Sequence, residues 1–296
     1  MANALATEAI DERYRDLDTL PTVEALRALN EAEATVPAAV GAVLPQIAAV
    51  VDAATRRLSD GGRLLYFGAG TSGRLGVVDA AECPPTFHTD PQQVQGVIAG
   101  GRGAMFAAVE GAEDSVELGE AAVADLNVSS ADVVVGIAAS GRTPFVLAAV
   151  GAARAAGALT VGLSCNTGSA LGAAAEMPIE VAVGPEVLSG STRLKAGSAT
   201  KQVLNMISTG VMIRLGKTYG NLMVDMSVSN NKLRTRAERM VMTITGADAQ
   251  TASKALERSG LRVTVAAVMI AGNRGRLEAE EILRRANGRL SEALQM

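Results

Sequence analysis

The chain has 296 residues, of which 48% are hydrophobic and 20% charged, with a net charge of −4. This length can bury a full core and favours one large domain with a small appendage. The acidic balance argues against a nucleic-acid partner, because phosphate backbones need a basic face. With no apolar run near ~20 residues and an N-terminus unlike a signal peptide, we expect a cytoplasmic protein that does not enter membranes.

Cysteine and histidine are scarce. Cys83 and Cys165 form no CxxC pair, and His88 is the single histidine. We therefore expect neither a metal site nor a disulfide framework. A Ser-His-Asp triad would have to recruit His88, whose Phe-His-Thr-Asp-Pro context is more typical of a surface loop. Proton transfer, if it occurs, then falls to carboxylates, lysines or tyrosines.

The chain begins with a polar, helix-prone segment over residues 1–36. Residues 38–58 then place apolar side chains every three or four positions, which predicts an amphipathic helix. Pro45 falls inside this stretch and predicts a kink or a restart. After it, short apolar runs alternate with helical patterns. The predicted strands are 63–67, 94–98, 133–138, 159–164 and 179–183. This alternation is typical of a three-layer α/β fold, with a parallel sheet covered on both faces.

Helices are predicted between and after these strands. We expect Pro84-Pro85 to end the helix that follows the first strand. A helix beginning at Ala104 would carry Met105, Phe106, Val109 and Val116 inward and acidic side chains outward. A long helix follows Lys195. The remaining helices are predicted at 230–242, 247–258, 262–271 and 275–286.

The first strand ends in the glycine loop Gly68–Arg74, which a helical pattern follows. Strand, glycine loop and helix in this order predict an anion site, where backbone N–H groups and a helix N-terminus converge. The loop satisfies G-x-G-x-x-G, but no acidic residue stands at the end of a second strand for a ribose. The hydroxyls of Thr71-Ser72 favour a phosphate monoester. A dinucleotide site and a purely structural turn stay open.

A second loop repeats this chemistry after the third strand, where Ser140 and Thr143 flank a glycine and Arg142. Two acidic residues are candidates for proton transfer. Glu82 follows the first loop by about ten residues, although it could simply end an exposed helix. Glu113 is one of five acidic residues in its segment, and such a run is usually a solvated face.

Six segments resemble the N-acetylmuramic acid 6-phosphate etherase family, and the similarity runs from Thr7 to the C-terminus. They are 68–76, 81–87, 108–114, 136–144, 190–197 and 221–226. Thr7-Glu8 follows the family pattern, whereas Asp11-Glu12-Arg13-Tyr14 replaces an expected Asn and small residues.

The resemblance implies a sugar isomerase (SIS) domain over 55–220, after a helical segment over 1–54. It also implies a connecting segment over 221–245 and a small helical domain over 246–296 that resembles a ubiquitin-associated fold. A cytoplasmic homodimer without metal or organic cofactor is expected. By the same resemblance, Glu82 and Glu113 are the catalytic acid/base pair. The expected substrate- and phosphate-binding residues are Gly70, Thr71, Ser72, Ser140, Gly141, Arg142, Thr143, Ser191 and Lys195.

The implied reaction removes D-lactate from N-acetylmuramic acid 6-phosphate during salvage of cell-wall amino sugars. In the open-chain sugar the C1 aldehyde acidifies the C2 proton, so a base and an acid can expel the C3 ether oxygen. Water then adds at C3. A related aldose–ketose isomerase or a sugar-phosphate-sensing regulator would share the fold. The first fifty residues show no basic helix-turn-helix of the kind a regulator would need.

Overall fold

A computed structural model describes residues 5–228 and 230–296. The predicted segments 1–54 and 221–245 therefore include residues, 1–4 and Ser229, that lie outside the described part. The chain forms two compact units. One comprises the described residues up to Ala81 together with Gln92–Ser208, and the other comprises Glu82–Pro91 and Thr209–Met296. The four-segment division remains a prediction.

A five-stranded parallel sheet forms the centre of the first unit, in the order β2-β1-β3-β4-β5. Its strands are β1 (Leu64–Gly68), β2 (Val94–Ile98), β3 (Val133–Ile137), β4 (Leu159–Ser164) and β5 (Met177–Glu180). Every residue of β1, β3 and β4 is buried, as expected for strands covered on both faces. The predicted parallel α/β sheet is confirmed.

In chain order up to residue 214, the α-helices are α1 (Thr22–Glu33), α2 (Val36–Gly41), α3 (Leu44–Ser59), α4 (Gly70–Phe87), α5 (Val116–Asp125), α6 (Pro144–Ala155), α7 (Ala170–Ala174) and α8 (Lys195–Arg214). The restart predicted at Pro45 is confirmed. Pro45 lies in the first turn of α3, where a missing N–H costs no hydrogen bond, and the axis bends by 59° between Gly41 and Leu44.

Two helix predictions are wrong. Pro84 and Pro85 do not end α4, which continues to Phe87. Proline's fixed φ is compatible with a helix, and the final turn is closed by the His88 N–H, which donates to the Pro84 carbonyl at 3.0 Å. Pro84 and Pro85 lack the N–H groups that would otherwise donate to two carbonyls one turn earlier, but the helix continues past them.

The helix predicted from Ala104 is also absent. A single 3₁₀ turn spans Arg102–Met105, and the chain then runs through turns until α5 begins at Val116. Phe106 is 95% exposed rather than buried. Gly111 has a φ of +73°, which no α-helix accommodates, and Ser115 accepts a hydrogen bond from the Leu118 N–H to start α5.

The second unit is helical and has its own apolar core. Beyond residue 214 its helices are α9 (Asn231–Thr245), α10 (Ala249–Arg258), α11 (Val263–Ala271), α12 (Arg276–Arg285) and α13 (Leu290–Ala293). The three short helices predicted from residue 247 onward are confirmed as α10, α11 and α12, whereas α13 was not predicted.

Within residues 5–228 and 230–296, no single helix has the length and apolar character to cross a membrane. The segments Thr22–Gly41 and Leu44–Ser59 have the required length and apolar character only when they are taken together as one bent pair.

Candidate active site

The strand order reverses between β1 and β3, because the chain leaves β1 towards β2 on one side and reaches β3 on the other. The loops after these two strands diverge at such a point, and ligands bind in the crevice between them. A cavity of about 370 Å³ lies there, within the first unit. Its lining includes Ala69–Ser72 after β1 and residues of 137–144 after β3.

The first loop presents backbone donors and hydroxyls to this cavity. Because α4 begins at Gly70, Thr71 and Ser72 lie in its first turn, where N–H groups have no partner within the helix. Gly70 has a φ of +52°. A side chain at Gly68 would put its Cβ 2.6 Å from the Gly73 nitrogen, so the strand can approach the helix this closely only with glycine. The loop is therefore shaped to hold an anion.

The second loop faces the same cavity with Ser140, Arg142 and Thr143. The Ser140 hydroxyl accepts a hydrogen bond from the Arg142 N–H at 3.2 Å, which closes the loop on itself. Gly141 does not line the cavity, but its φ of +68° turns the chain there. Thr143 precedes Pro144, which occupies the first turn of α6 as predicted. Two hydroxyl loops and one guanidinium thus converge.

Glu113 joins these loops through a turn rather than a helix. Its carbonyl accepts a hydrogen bond from the Phe145 N–H at 3.0 Å, which fastens the turn to the start of α6. The exposed Glu113 side chain lines the cavity beside Asp114. One of the two expected catalytic carboxylates is therefore brought to the two hydroxyl loops.

Glu82 is not among the residues that line the cavity. It is exposed and lies on α4, in the stretch that belongs to the second unit. Twelve residues separate it from Gly70, which corresponds to about 18 Å along a helix axis at 1.5 Å per residue.

Ser191 and Lys195 do not line the cavity either, whereas Thr192, Gly197 and Thr200 from the same segment do. Lys195 is buried, and its ammonium donates to the Val183 carbonyl at 2.8 Å. Glu186, also buried, accepts hydrogen bonds from the Lys195 N–H at 3.0 Å and the Ala196 N–H at 2.9 Å. This carboxylate caps the N-terminus of α8.

Sequence reasoning did not assign Glu8 to the site, yet Glu8 lines the cavity. It is held there through its neighbour. The Thr7 N–H donates to the Asn166 side-chain oxygen at 3.2 Å, and the Asn166 amide donates back to the Thr7 hydroxyl at 2.9 Å. Asn166 also donates to the Ala139 carbonyl, next to the second loop. Because a contact across 159 positions leaves no local sequence pattern, the only sign of this role was that Thr7-Glu8 follows the family pattern.

A buried carboxylate fixes α4 against the sheet. Asp79 accepts hydrogen bonds from the Tyr66 hydroxyl at 2.9 Å, the Asn205 amide at 2.6 Å and the Ser208 hydroxyl at 3.1 Å. These contacts join α4 to β1 and α8, so they hold the helix whose N-terminus faces the cavity. No cluster of three His, Cys, Asp or Glu side chains placed to hold a metal occurs in the described part of the chain.

Known proteins share the fold of this chain, and curated relatives align with nearly all of it. The model of the glucokinase regulatory protein N-terminal SIS domain matches residues 46–154, and the SIS domain model matches residues 104–208. A phosphoheptose isomerase structure from Francisella tularensis covers 66% of this chain and 100% of its own, with a TM-score of 0.50 and 19% identity. That likeness supports the fold alone.

Curated relatives cover nearly the whole chain. An N-acetylmuramic acid 6-phosphate etherase from Streptomyces avermitilis is 56% identical over 98% of this chain and 93% of that protein. Those from Rubrobacter xylanophilus and Bacillus licheniformis are 56% and 49% identical over 90% and 99% of this chain, and 88% and 96% of their own. The chain belongs to the N-acetylmuramic acid 6-phosphate etherase family.

Proposed function

We propose that this chain removes D-lactate from N-acetylmuramic acid 6-phosphate and leaves N-acetylglucosamine 6-phosphate, as a carbon–oxygen lyase of cell-wall amino-sugar salvage. The carrying observation is the cavity at the ends of β1 and β3, where both hydroxyl loops meet Glu113. The identity to etherases over the full chain supports the substrate. The elimination and the addition of water need proton transfers but no oxidation or reduction, so the proposal includes no cofactor. We also propose that the reaction takes place in the bacterial cytoplasm.

The phosphate binds to the first turn of α4. Thr71 and Ser72 supply hydroxyl and N–H donors there, and Ser140 and Thr143 face them from the second loop. Fixing the 6-phosphate places the open-chain sugar against Glu113, and such positioning can supply a large part of the rate enhancement. Ser191 and Lys195 shape the segment that contributes Thr192 and Gly197.

The reaction proceeds by elimination and then addition. A base takes the C2 proton, the C3–O bond breaks, and an acid protonates the ether oxygen so that lactate leaves as a hydroxy acid. Water then adds to C3 of the unsaturated aldehyde, and C2 is reprotonated. We assign Glu82 as the acid on the ether oxygen and Glu113 as the group that moves the C2 proton or activates water.

The distance of Glu82 along α4 supports a homodimer in which the two glutamates of one site come from different copies. A sugar phosphate bound at Gly70 is shorter than the ~18 Å of helix that separates Gly70 from Glu82. Glu82 of one copy would then act in the cavity of the other, as isologous dimers allow.

Subunit complementation tests this arrangement. Glu82→Gln and Glu113→Gln dimers are each expected to lose about 10²- to 10⁴-fold in kcat. Unfolding and refolding them together should restore about a quarter of wild-type lactate release, because half the dimers are mixed and each has one complete site. No recovery would show that Glu82 does not act in the partner's cavity. Glu120→Gln, an exposed change on α5, is the matched control.

Isotopes test the chemical path. In heavy water the product should carry deuterium at C2, and ¹⁸O-labelled water should place its oxygen at C3. Label in the lactate would instead indicate cleavage at the lactyl carbon and would refute the elimination. Lactate release itself separates the etherase from an aldose–ketose isomerase.

A further inference from the structure

A second cavity of about 340 Å³ adjoins the first within the same unit. Ala69, Gly70 and Glu113 line both cavities, so a group attached to a substrate in the first could extend into the second. Apart from Arg74, Glu110 and Glu113, its lining consists of alanine, glycine and valine. The cavity is therefore lined mostly by small apolar residues, with one cation, Arg74, and two carboxylates, Glu110 and Glu113.

Arg74 is fixed within this cavity. Its Nε donates to the Met105 carbonyl at 3.1 Å, and its side chain is half-buried. Within residues 5–228 and 230–296 no carboxylate forms an ion pair with it. The guanidinium thus keeps its two terminal nitrogens for a ligand, and the fork geometry of those nitrogens matches a carboxylate. Glu110, the other charged group besides Glu113, is exposed.

We propose that this cavity binds the D-lactyl group of the substrate, with Arg74 paired to the lactyl carboxylate. The inference rests on the function proposed above and assigns a further part of the same site. The lactyl group consists of one methyl and one carboxylate, which match the small apolar lining and the single cation. The acetamido group is neutral and would leave Arg74 without a charge partner. Because Glu113 lines both cavities, the scissile ether lies beside it.

The test compares two substrates, N-acetylmuramic acid 6-phosphate and its lactamide, in which a neutral amide replaces the carboxylate. Wild-type protein should prefer the acid in kcat/KM by about 10- to 100-fold, the range of a charge-assisted hydrogen bond. Arg74→Gln should lose most of this preference, because its kcat/KM falls for the acid and little for the amide. An equal fall for both substrates, or an unaltered preference, would overturn the proposal.

Product binding separates this role from a structural one. N-acetylglucosamine 6-phosphate lacks the lactyl group, so its Kd should stay within about twofold in Arg74→Gln, whereas a collapsed phosphate loop would weaken it. Arg102→Gln is the matched control, because Arg102 is exposed on the neighbouring 3₁₀ turn and lines neither cavity. It should keep the preference for the acid.

Two further outcomes are decisive. If Arg74→Gln does not fold, Arg74→Lys replaces it. A single ammonium cannot make the paired hydrogen bonds, so the preference should fall without vanishing, and an unchanged preference would overturn the proposal. If wild-type protein releases no lactate, the etherase function itself fails. Release by the wild type with an unaltered preference in Arg74→Gln refutes only the lactyl site.

Discussion

Gly141 shows how one residue shapes the second hydroxyl loop. Its φ of +68° lies in the left-handed region, and a Cβ there would stand 2.4 Å from the Ser169 Cβ. Ser169 is itself fixed, because its hydroxyl and N–H both donate to Glu180. The loop therefore cannot relax around a side chain, and the positions of Ser140 and Thr143 depend on this glycine.

Gly141→Ala should destabilise the fold by about 2 kcal/mol or more, from left-handed backbone strain and steric overlap, and should raise KM. Gly151→Ala is the matched control. Gly151 is exposed within α6, and a Cβ added there would have no neighbouring atom within 4 Å. The control should stabilise by up to about 1 kcal/mol. Urea unfolding and lactate-release kinetics measure both, and equal stabilities would contradict the strain argument.

At the scale of elements, Arg63 and Asp132 fix the start of the sheet. They precede β1 and β3, whose first residues Leu64 and Val133 are register partners. The Arg63 guanidinium donates to both Asp132 oxygens, at 2.9 and 2.7 Å. Burial raises the pKa of Asp132, but the hydrogen bonds from Arg63 and the Ser129 N–H outweigh it and hold that pKa below its ordinary value.

Asp132→Asn should cost about 2 kcal/mol at pH 7, because it removes the carboxylate that pairs with the partly exposed Arg63, whose guanidinium keeps the Leu126 and Asn127 carbonyls as acceptors. The folded pKa lies below the unfolded value, so the carboxylate stabilises above about pH 4 and this stabilisation is lost as pH falls through the folded pKa. The variant's deficit in urea unfolding should accordingly shrink at acid pH. Asp125→Asn, exposed at the end of α5, controls for net charge. A deficit that does not change with pH would contradict this account.

Strands β1, β3 and β4 were predictable because a strand buried on both faces is a near-continuous apolar run. The segment 104–115 was not. Met105, Phe106 and Val109 have helical spacing, yet spacing does not reveal that Gly111 turns the chain to bring Glu113 to α6. Tertiary contacts decided this segment, and they outweigh local pattern where no strong capping signal precedes the helix.

The candidate site likewise has one part that the local sequence predicts and another that it does not. The two hydroxyl loops were predictable, since each follows a strand and carries its own glycine. The position of Glu8 depends on a contact between segments that are distant in sequence. The Glu186 cap on α8 comes from an irregular segment, where no periodic pattern predicts it. The buried ammonium of Lys195 was likewise invisible, because a lysine before a helix reads as a free cation until its acceptor, the Val183 carbonyl, is known.

At the scale of the whole molecule, the residues that line the sugar-phosphate cavity all lie within the first unit, and so does Cys165. This thiol is fully buried, and burial raises its pKa to about 12. A thiol must form the thiolate to be alkylated, so Cys165 reacts only when the surrounding structure opens. Cys83 is also buried but belongs to the second unit. The substitution Cys83→Ser removes this second thiol, so that any labelling measured is that of Cys165.

In Cys83→Ser protein, iodoacetamide should label Cys165 at least ~10³-fold more slowly than a free peptide thiol, in keeping with the marginal stability of folded domains. N-acetylglucosamine 6-phosphate at 100 times its Kd should slow labelling about another 100-fold, because a ligand that binds only the folded unit adds about 2.7 kcal/mol. Protein unfolded in guanidinium controls for reagent effects, since the ligand should not alter its labelling. If the ligand left the native rate unchanged, the unit that holds Cys165 would not be the one that binds the sugar phosphate.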